Sequence, residues 1–321
     1  NKNKQRKNMN NLKKIGLTAL AASLVTTSAF AGAMSVSGGA SMTVKNTTGT
    51  KDPGSGKAFT MGNQLTFTGG GELDNGMNVS LSFIIDQNDD ANAVTSSPFD
   101  SHSLTISSDA LGTFVFSGEG GSSAQGAMDA GAAGDLWNTG TGIAEITGAA
   151  AGDNSMFYTL PTLMDGVAIT ASMSPGNGAN ATHGSYGLTY TGVEGLTLKY
   201  GQGDSGAKAT ETTSTTMYAS YAIGSVTLAV SNTEADNTGA VNREVDAYQI
   251  AYTVTDDMSV TYGSETFDKG GEAVDEEVSS LGVSYTSGGM TLSAATYEST
   301  GAANVAGTKT ERWKLGLSFA F

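Results

Sequence analysis

Apolar and polar residues alternate along most of this chain with a period of two. In the last ten residues, RWKLGLSFAF, one side carries Trp313, Leu315, Leu317, Phe319 and Phe321, and the other carries Lys314, Gly316, Ser318 and Ala320. MSVSGGASMTV at 34–44 does the same with Met34, Val36, Ala40, Met42 and Val44, and MNVSLSFII at 77–85 with Met77, Val79, Leu81, Phe83 and Ile85. Side chains alternate across a strand, so this pattern predicts strands with one apolar face. LTFTG, SLTIS, TFVFS, SMFYTL, VAITASM, SYGLTY, LTLKY, TMYASYAI, VTLAV, AYQIAYTV, MSVTY, SSLGVSY and MTLSAATY follow the same rule, giving sixteen predicted strands. Beyond the N-terminal region no segment shows a helical apolar stripe.

The connections alternate too. Seven are tight, at 74–76, 108–112, 161–166, 191–195, 222–225, 255–258 and 286–289, and carry Gly, Asp, Asn and Pro in hairpin-type combinations. Eight are longer, polar and acidic, near 46–62, 87–100, 119–153, 175–183, 203–213, 234–243, 268–276 and 299–308. Strict alternation of short and long fits antiparallel strands with both chain ends on the short-turn side.

A soluble sandwich also alternates, so the aromatic positions matter. Tyr158, Tyr190, Tyr221, Tyr252, Tyr285, Phe319 and Phe321 lie just before tight turns or the chain end, and Tyr200, Tyr262 and Tyr297 lie a few residues after turns. Two aromatic belts separated by small and aliphatic residues are the girdles of a transmembrane barrel. The opposite parity holds Ser, Thr, Gly, Gln and a few charges, which suits water. The prediction is an all-β, up-and-down antiparallel transmembrane barrel. In hydrocarbon only a closed barrel satisfies the backbone groups of a sheet, so the last strand must pair with the first. The competing expectation is a secreted or surface-anchored adhesion protein whose strands stack as a soluble solenoid.

The N-terminal region reads differently. Lys13 and Lys14 precede the apolar run IGLTALAASLV, and AFA at 29–31 is a small-x-small cleavage site, so 1–31 is expected to be a secretory signal peptide, with Met9 as the start and 1–8 as an upstream extension. The barrel domain is then 32–321. Residues 1–31 hold six of the 16 bases and none of the 31 acids, which leaves a net charge of −21 on the remainder. Such a surface argues against nucleic acid as a partner and draws cations. There is no cysteine, which excludes disulfides, thiol nucleophiles and Cys-type zinc sites.

Candidate chemistry is sparse, and no catalysis is expected. His102 and His183 stand apart from one another beside loops. GEGGSSAQGA lacks the Lys-Ser/Thr pair of a phosphate loop, and no GxSxG elbow is present. No cofactor is expected; the alternative to the commoner solvated loop is loop-bound calcium at Asp86, Asp89 and Asp90 or at Asp275, Glu276 and Glu277.

With its signal peptide, sixteen strands, seven turns, eight loops and terminal Phe, the chain resembles the general porins of Gram-negative outer membranes. That resemblance implies an outer-membrane, water-filled channel for passive diffusion of small hydrophilic solutes and ions. It also implies a homotrimer, latched to its neighbour by the loop at 87–100. A substrate-specific outer-membrane channel is the variant reading. The resemblance further implies that the third long loop, about 35 residues from Glu119 to Asp153, folds into the lumen and narrows it. Its acids Glu119, Asp129, Asp135, Glu145 and Asp153 would line the constriction, with Leu136 and Trp137 as its apolar anchor. The facing basic cluster that the family implies is thin here: Lys45, Lys199, Arg312 and Lys314 are the inward bases, and Lys45 and Arg312 are placed to meet. The acids predict a weak cation preference. Phe319 and Phe321 would form the C-terminal signal read by the barrel-assembly machinery, and outer-membrane lipid would cover the apolar face.

Overall fold

The computed structural model describes residues 34–49, 56–86, 100–128, 132–133, 136, 152–176, 181–207 and 211–321. The strands are β1 (Ser35–Gly49), β2 (Gly56–Glu72), β3 (Asn78–Asp86), β4 (Ser101–Ser108), β5 (Gly112–Glu119), β6 (Ser155–Thr159), β7 (Val167–Ser174) and β8 (His183–Tyr190). They continue as β9 (Leu196–Asp204), β10 (Thr212–Ile223), β11 (Val226–Asn237), β12 (Arg243–Thr255), β13 (Met258–Lys269), β14 (Glu276–Ser287), β15 (Met290–Thr300) and β16 (Lys309–Ala320). Each pairs antiparallel with its sequence neighbours, and β1 pairs with β16, so the sheet closes. Closure removes both edges and rules out the stacked solenoid. Among the described residues no helix is long and apolar enough to cross a membrane.

All seven tight turns fall where the sequence places them. Gly224 and Gly288 open two-residue hairpins with φ of 57° and 58°, a left-handed conformation that a β-carbon would strain. The first long connection is shorter than expected: the β1–β2 ladder runs as far as Thr47–Gly56, where the sequence suggested a loop from 46 to 62. Asn, Thr, Gly and Lys fill the paired ends 46–47 and 56–57 without apolar residues, and Phe59 and Met61 carry the alternation of β2 only from 59 on, so periodicity alone underestimates the strands.

The apolar parity faces outward. Val36, Met42, Phe59, Met61, Leu81, Leu228, Ile250, Leu281, Leu292 and Leu315 are all exposed on the exterior. The turn-side belt is continuous: Tyr252 lies beside Val226 and Val260, and Tyr285 beside Met258 and Leu292. Nearer the loop end come Tyr186 and Tyr200, their rings 6.2 Å apart, then Tyr248 and Tyr262, also 6.2 Å apart, and Trp313. Beyond them the exterior turns polar. Lys309 Nζ lies 3.0 Å from Glu298 and 2.9 Å from Glu311, and Asn232 Nδ2 donates to Glu244 at 2.6 Å. The apolar band therefore has a defined upper edge.

One belt residue is misplaced by the sequence reading. Tyr297 is the register partner of Arg312 and Ser280 on the inward face, and it packs beside Phe267, Val278 and Ala235. The sequence expectation grouped it by distance from a turn. Parity decides instead, because Met290, Leu292, Ala294 and Thr296 take the outward positions of β15.

Candidate functional site: the lumen and its third loop

The third long connection leaves β5 and enters the barrel. Its described residues Ala124, Gln125, Met128, Ala132 and Ala133 are buried, although they lie between two strands at the loop end. The inner wall explains why. Ser172 Oγ of β7 accepts the Ala124 N–H at 2.9 Å, and Ser185 Oγ of β8 accepts the Gln125 N–H at 3.1 Å. The Gln125 side-chain amide donates to Thr216 of β10 at 2.8 Å. Farther along, Ser231 of β11 accepts the Ala132 N–H at 2.7 Å, and both oxygens of Glu265 on β13 lie 3.2 Å from the Leu136 nitrogen. A loop inside a barrel must satisfy its own backbone donors, and these hydroxyls and one carboxylate do so.

Missing side chains matter as much. A β-carbon at Gly187 would lie 2.8 Å from the Ala124 carbonyl, and one at Gly201 would lie 2.9 Å from Met128 Cγ and 3.0 Å from the Gln125 Cα. Gly263 faces the Ala133 β-carbon in the same way at 3.2 Å. The loop thus presses on a wall of Ser and Gly from β7 to β13. Ala132 and Ala133 pack on Ala229 and Ala247, and Leu136 packs on the Phe267–Val278 cluster. The lumen therefore holds a small apolar core where the sequence suggested only water-facing residues. Leu136 is an anchor, as expected; Trp137 lies outside the described residues.

Of the five predicted constriction acids, Glu119 and Asp153 are described. Glu119 ends β5, where His102 Nδ1 stands 3.8 Å from its carboxylate at the rim, and Asp153 is exposed on the loop's return. Asp129, Asp135 and Glu145 lie outside the described residues. Glu265 and Glu276 are both buried on the inner face; the sequence reading did not mark Glu265, and it weighed Glu276 only as a loop acid or calcium ligand. Their parity was the available signal: Glu265 lies two residues from Gly263 and Phe267, and Glu276 two from Val278.

The predicted bases are all on inward positions. Lys45 is the register partner of Lys314, and Thr47 that of Arg312, whose Nε donates to Thr47 Oγ1 at 3.2 Å. The sequence reading set Lys45 to meet Arg312; the register instead puts Lys314 directly opposite Lys45, with Arg312 one inward row away. Lys199 stands apart on β9, with its ammonium 5.0 Å from the centre of the inward Tyr218 ring. Lys57 pairs with the outward Asn46, so β2 adds no base to the lumen. Arg243 and Lys269 are inward partners at the loop end that the sequence reading did not mark.

The second calcium suggestion does not gather its ligands. Glu276 is buried inward with Ser299 donating to it at 3.2 Å, while Glu277 is exposed on the other face. Asp89 and Asp90 lie outside the described residues, as does most of the predicted latching loop. Among the described residues no three acidic or His side chains converge as metal ligands.

A family model described as Gram-negative porin matches residues 16–321. The chain belongs to that family. This porin is an outer-membrane channel, with its apolar parity on the exterior and a lumen narrowed by the third loop. Solved structures agree in fold. A loop-L8 deletion mutant of OmpT from Vibrio cholerae superposes with a TM-score of 0.69 at 17% identity, covering 91% of this chain and 100% of that one. An anion-selective porin from Comamonas acidovorans gives 0.67 at 15% identity, covering 90% and 99%. The trimer form of in-vitro folded OmpT gives 0.68 at 15%, covering 91% and 100%. No curated protein matches the chain.

Proposed function

We propose that this porin passes small hydrophilic solutes and ions by passive diffusion, with a weak cation preference, and assembles as a homotrimer. The observation that carries this reading is the third loop bound to the β7–β13 wall, from Ser172 to Glu265. A barrel of sixteen strands is wide enough to pass water freely, and an inserted loop gives it a size cutoff. The trimer rests on the likeness to the trimer form of OmpT. The cation preference rests on the net charge of −21 outside residues 1–31 and on loop acids Glu119, Asp129, Asp135, Glu145 and Asp153. The leader at 1–31 directs export, and Phe319 and Phe321 present the end of the chain to the assembly machinery.

The test is single-channel recording in a planar bilayer under a salt gradient, on protein extracted from outer membrane. Stepwise insertions with a small positive cation bias support the reading. A protein that sediments with the outer membrane but carries no current overturns it.

A further inference from the structure

Two ammonium groups share one cross-strand position at the seam where the last strand closes onto the first. Lys45 and Lys314 are Cα partners on the inward face. At the foot of the same ladder Gly38 and Phe321 exchange both backbone hydrogen bonds. Bonded and non-bonded pairs alternate along an antiparallel ladder. Lys45 is an odd number of steps from Gly38, so Lys45–Lys314 is a non-hydrogen-bonded pair, with Cα atoms about 4.5 Å apart and side chains at their closest. Like charges directly opposite destabilise a sheet.

Nothing described relieves this pair. Among the described residues neither lysine forms an ion pair or hydrogen bond. The other inward basic pair differs: Lys269, opposite Arg243, has Glu272 at 2.9 Å. Among the described residues the neighbouring wall positions are small. Ala58 and Ala295 flank the lysines in register, and the next inward row down is Thr43 with Gly316. One row up lies Arg312, a third cation held by Thr47. The described hydrogen bonds from the third loop to the wall fall on β7 to β13, and its Leu136 reaches the cluster at Val278 of β14, short of this seam.

We propose that the β1–β16 seam is a binding station for small multivalent oxyanions, with Lys45 and Lys314 as its two donors. The proposal rests on the reading of the barrel as a diffusion channel. A tetrahedral dianion such as inorganic phosphate offers separate oxygens to the two ammonium groups, in charge-assisted hydrogen bonds of about 2.7–2.9 Å. Binding replaces a repulsion with two attractions. The acidic remainder of the protein does not forbid it, because charges farther than about 8 Å are largely screened at physiological salt. Monovalent ions pass the station, whereas a multivalent oxyanion pauses there and obstructs the current.

The experiment uses the intact barrel in a planar bilayer at about 0.1 M potassium chloride, where screening extends over about 10 Å. Inorganic phosphate is added at mildly alkaline pH, against chloride matched in ionic strength. The expected result is a saturable fall in single-channel current with phosphate alone. Lys45→Gln or Lys314→Gln raises the half-blocking concentration about tenfold, as the loss of one near charge facing a dianion requires. The double variant abolishes the block, and Lys57→Gln on the exterior leaves it intact. As a second readout, phosphate raises the temperature at which the folded barrel is lost on an unheated gel for the natural chain, and not for the double variant. A block that survives in the double variant, or no phosphate effect beyond matched chloride, overturns the station. Absence of any current overturns the channel reading instead, and the gel shift then decides whether the anion site exists.

Discussion

Gly38 and Phe321 hold each other by two backbone hydrogen bonds, from the Gly38 N–H to the Phe321 carbonyl at 2.7 Å and from the Phe321 N–H to the Gly38 carbonyl at 2.9 Å. The Phe321 ring lies over Gly38, where an added β-carbon would come within 2.6 Å of it. Glycine on β1 and phenylalanine at the end of the chain are therefore one closure device. Gly38→Val is expected to displace the ring, and removal of Phe321 to delete both bonds. Each should leave export intact and reduce the heat-modifiable barrel in the outer membrane, measured by fractionation and unheated gels. Normal levels of folded barrel in both variants would remove the closure argument.

Leu315 and its sequence neighbour Lys314 test the two faces of one strand. Leu315 is 49% exposed on the exterior, between the levels of Trp313 and Phe319. Leu315→Arg places a cation on the lipid face at a cost of about 2–4 kcal/mol at mid-bilayer. It should lower the yield of folded barrel sharply. Lys314→Gln faces the lumen and should fold at least as well as the natural chain. The comparison is read from gel mobility before and after heating; equal yields would reverse the assignment of faces.

Gly201 tests whether the third loop lies against the wall. A valine there would meet Met128 and the Gln125 backbone at 2.9–3.0 Å, and backbone cannot move aside cheaply. Gly201→Val is expected to push the loop into the open lumen and lower single-channel conductance. Deleting 128–147 should do the opposite, raising conductance and admitting larger sugars. A loop outside the barrel would give neither change.

Selectivity should report the balance between acids and the seam lysines. At low salt the reversal potential is expected to show a weak cation preference. It should fade towards 1 M, where the screening length is about 3 Å. Neutralising Asp129, Asp135 and Glu145 together should reduce it, and Lys45→Gln with Lys314→Gln should increase it. Anion preference at low salt in the natural chain would contradict the assignment.

By itself the sequence determined the sheet. Period-two alternation is a local property of each strand, and Gly, Asp and Asn mark the turns, so strand number, turn positions, outward parity and the need for closure were all readable in segments such as RWKLGLSFAF. The meeting of bases on β1 and β16 was also legible, because closure brings the ends of the chain together. The exact partner was not: register depends on how far one strand slides along another, and that slide set Lys314, not Arg312, opposite Lys45. Tertiary structure alone decided where the third loop lies. Ser172, Ser185, Ser231, Gly187 and Gly201 read as water-facing residues in any single strand. They become acceptors and clearances only once seven strands from β7 to β13 curve into one wall and present them together. The inward direction of Glu265 and Tyr297 was legible in their parity, but their burial was not, since it comes from residues distant in sequence.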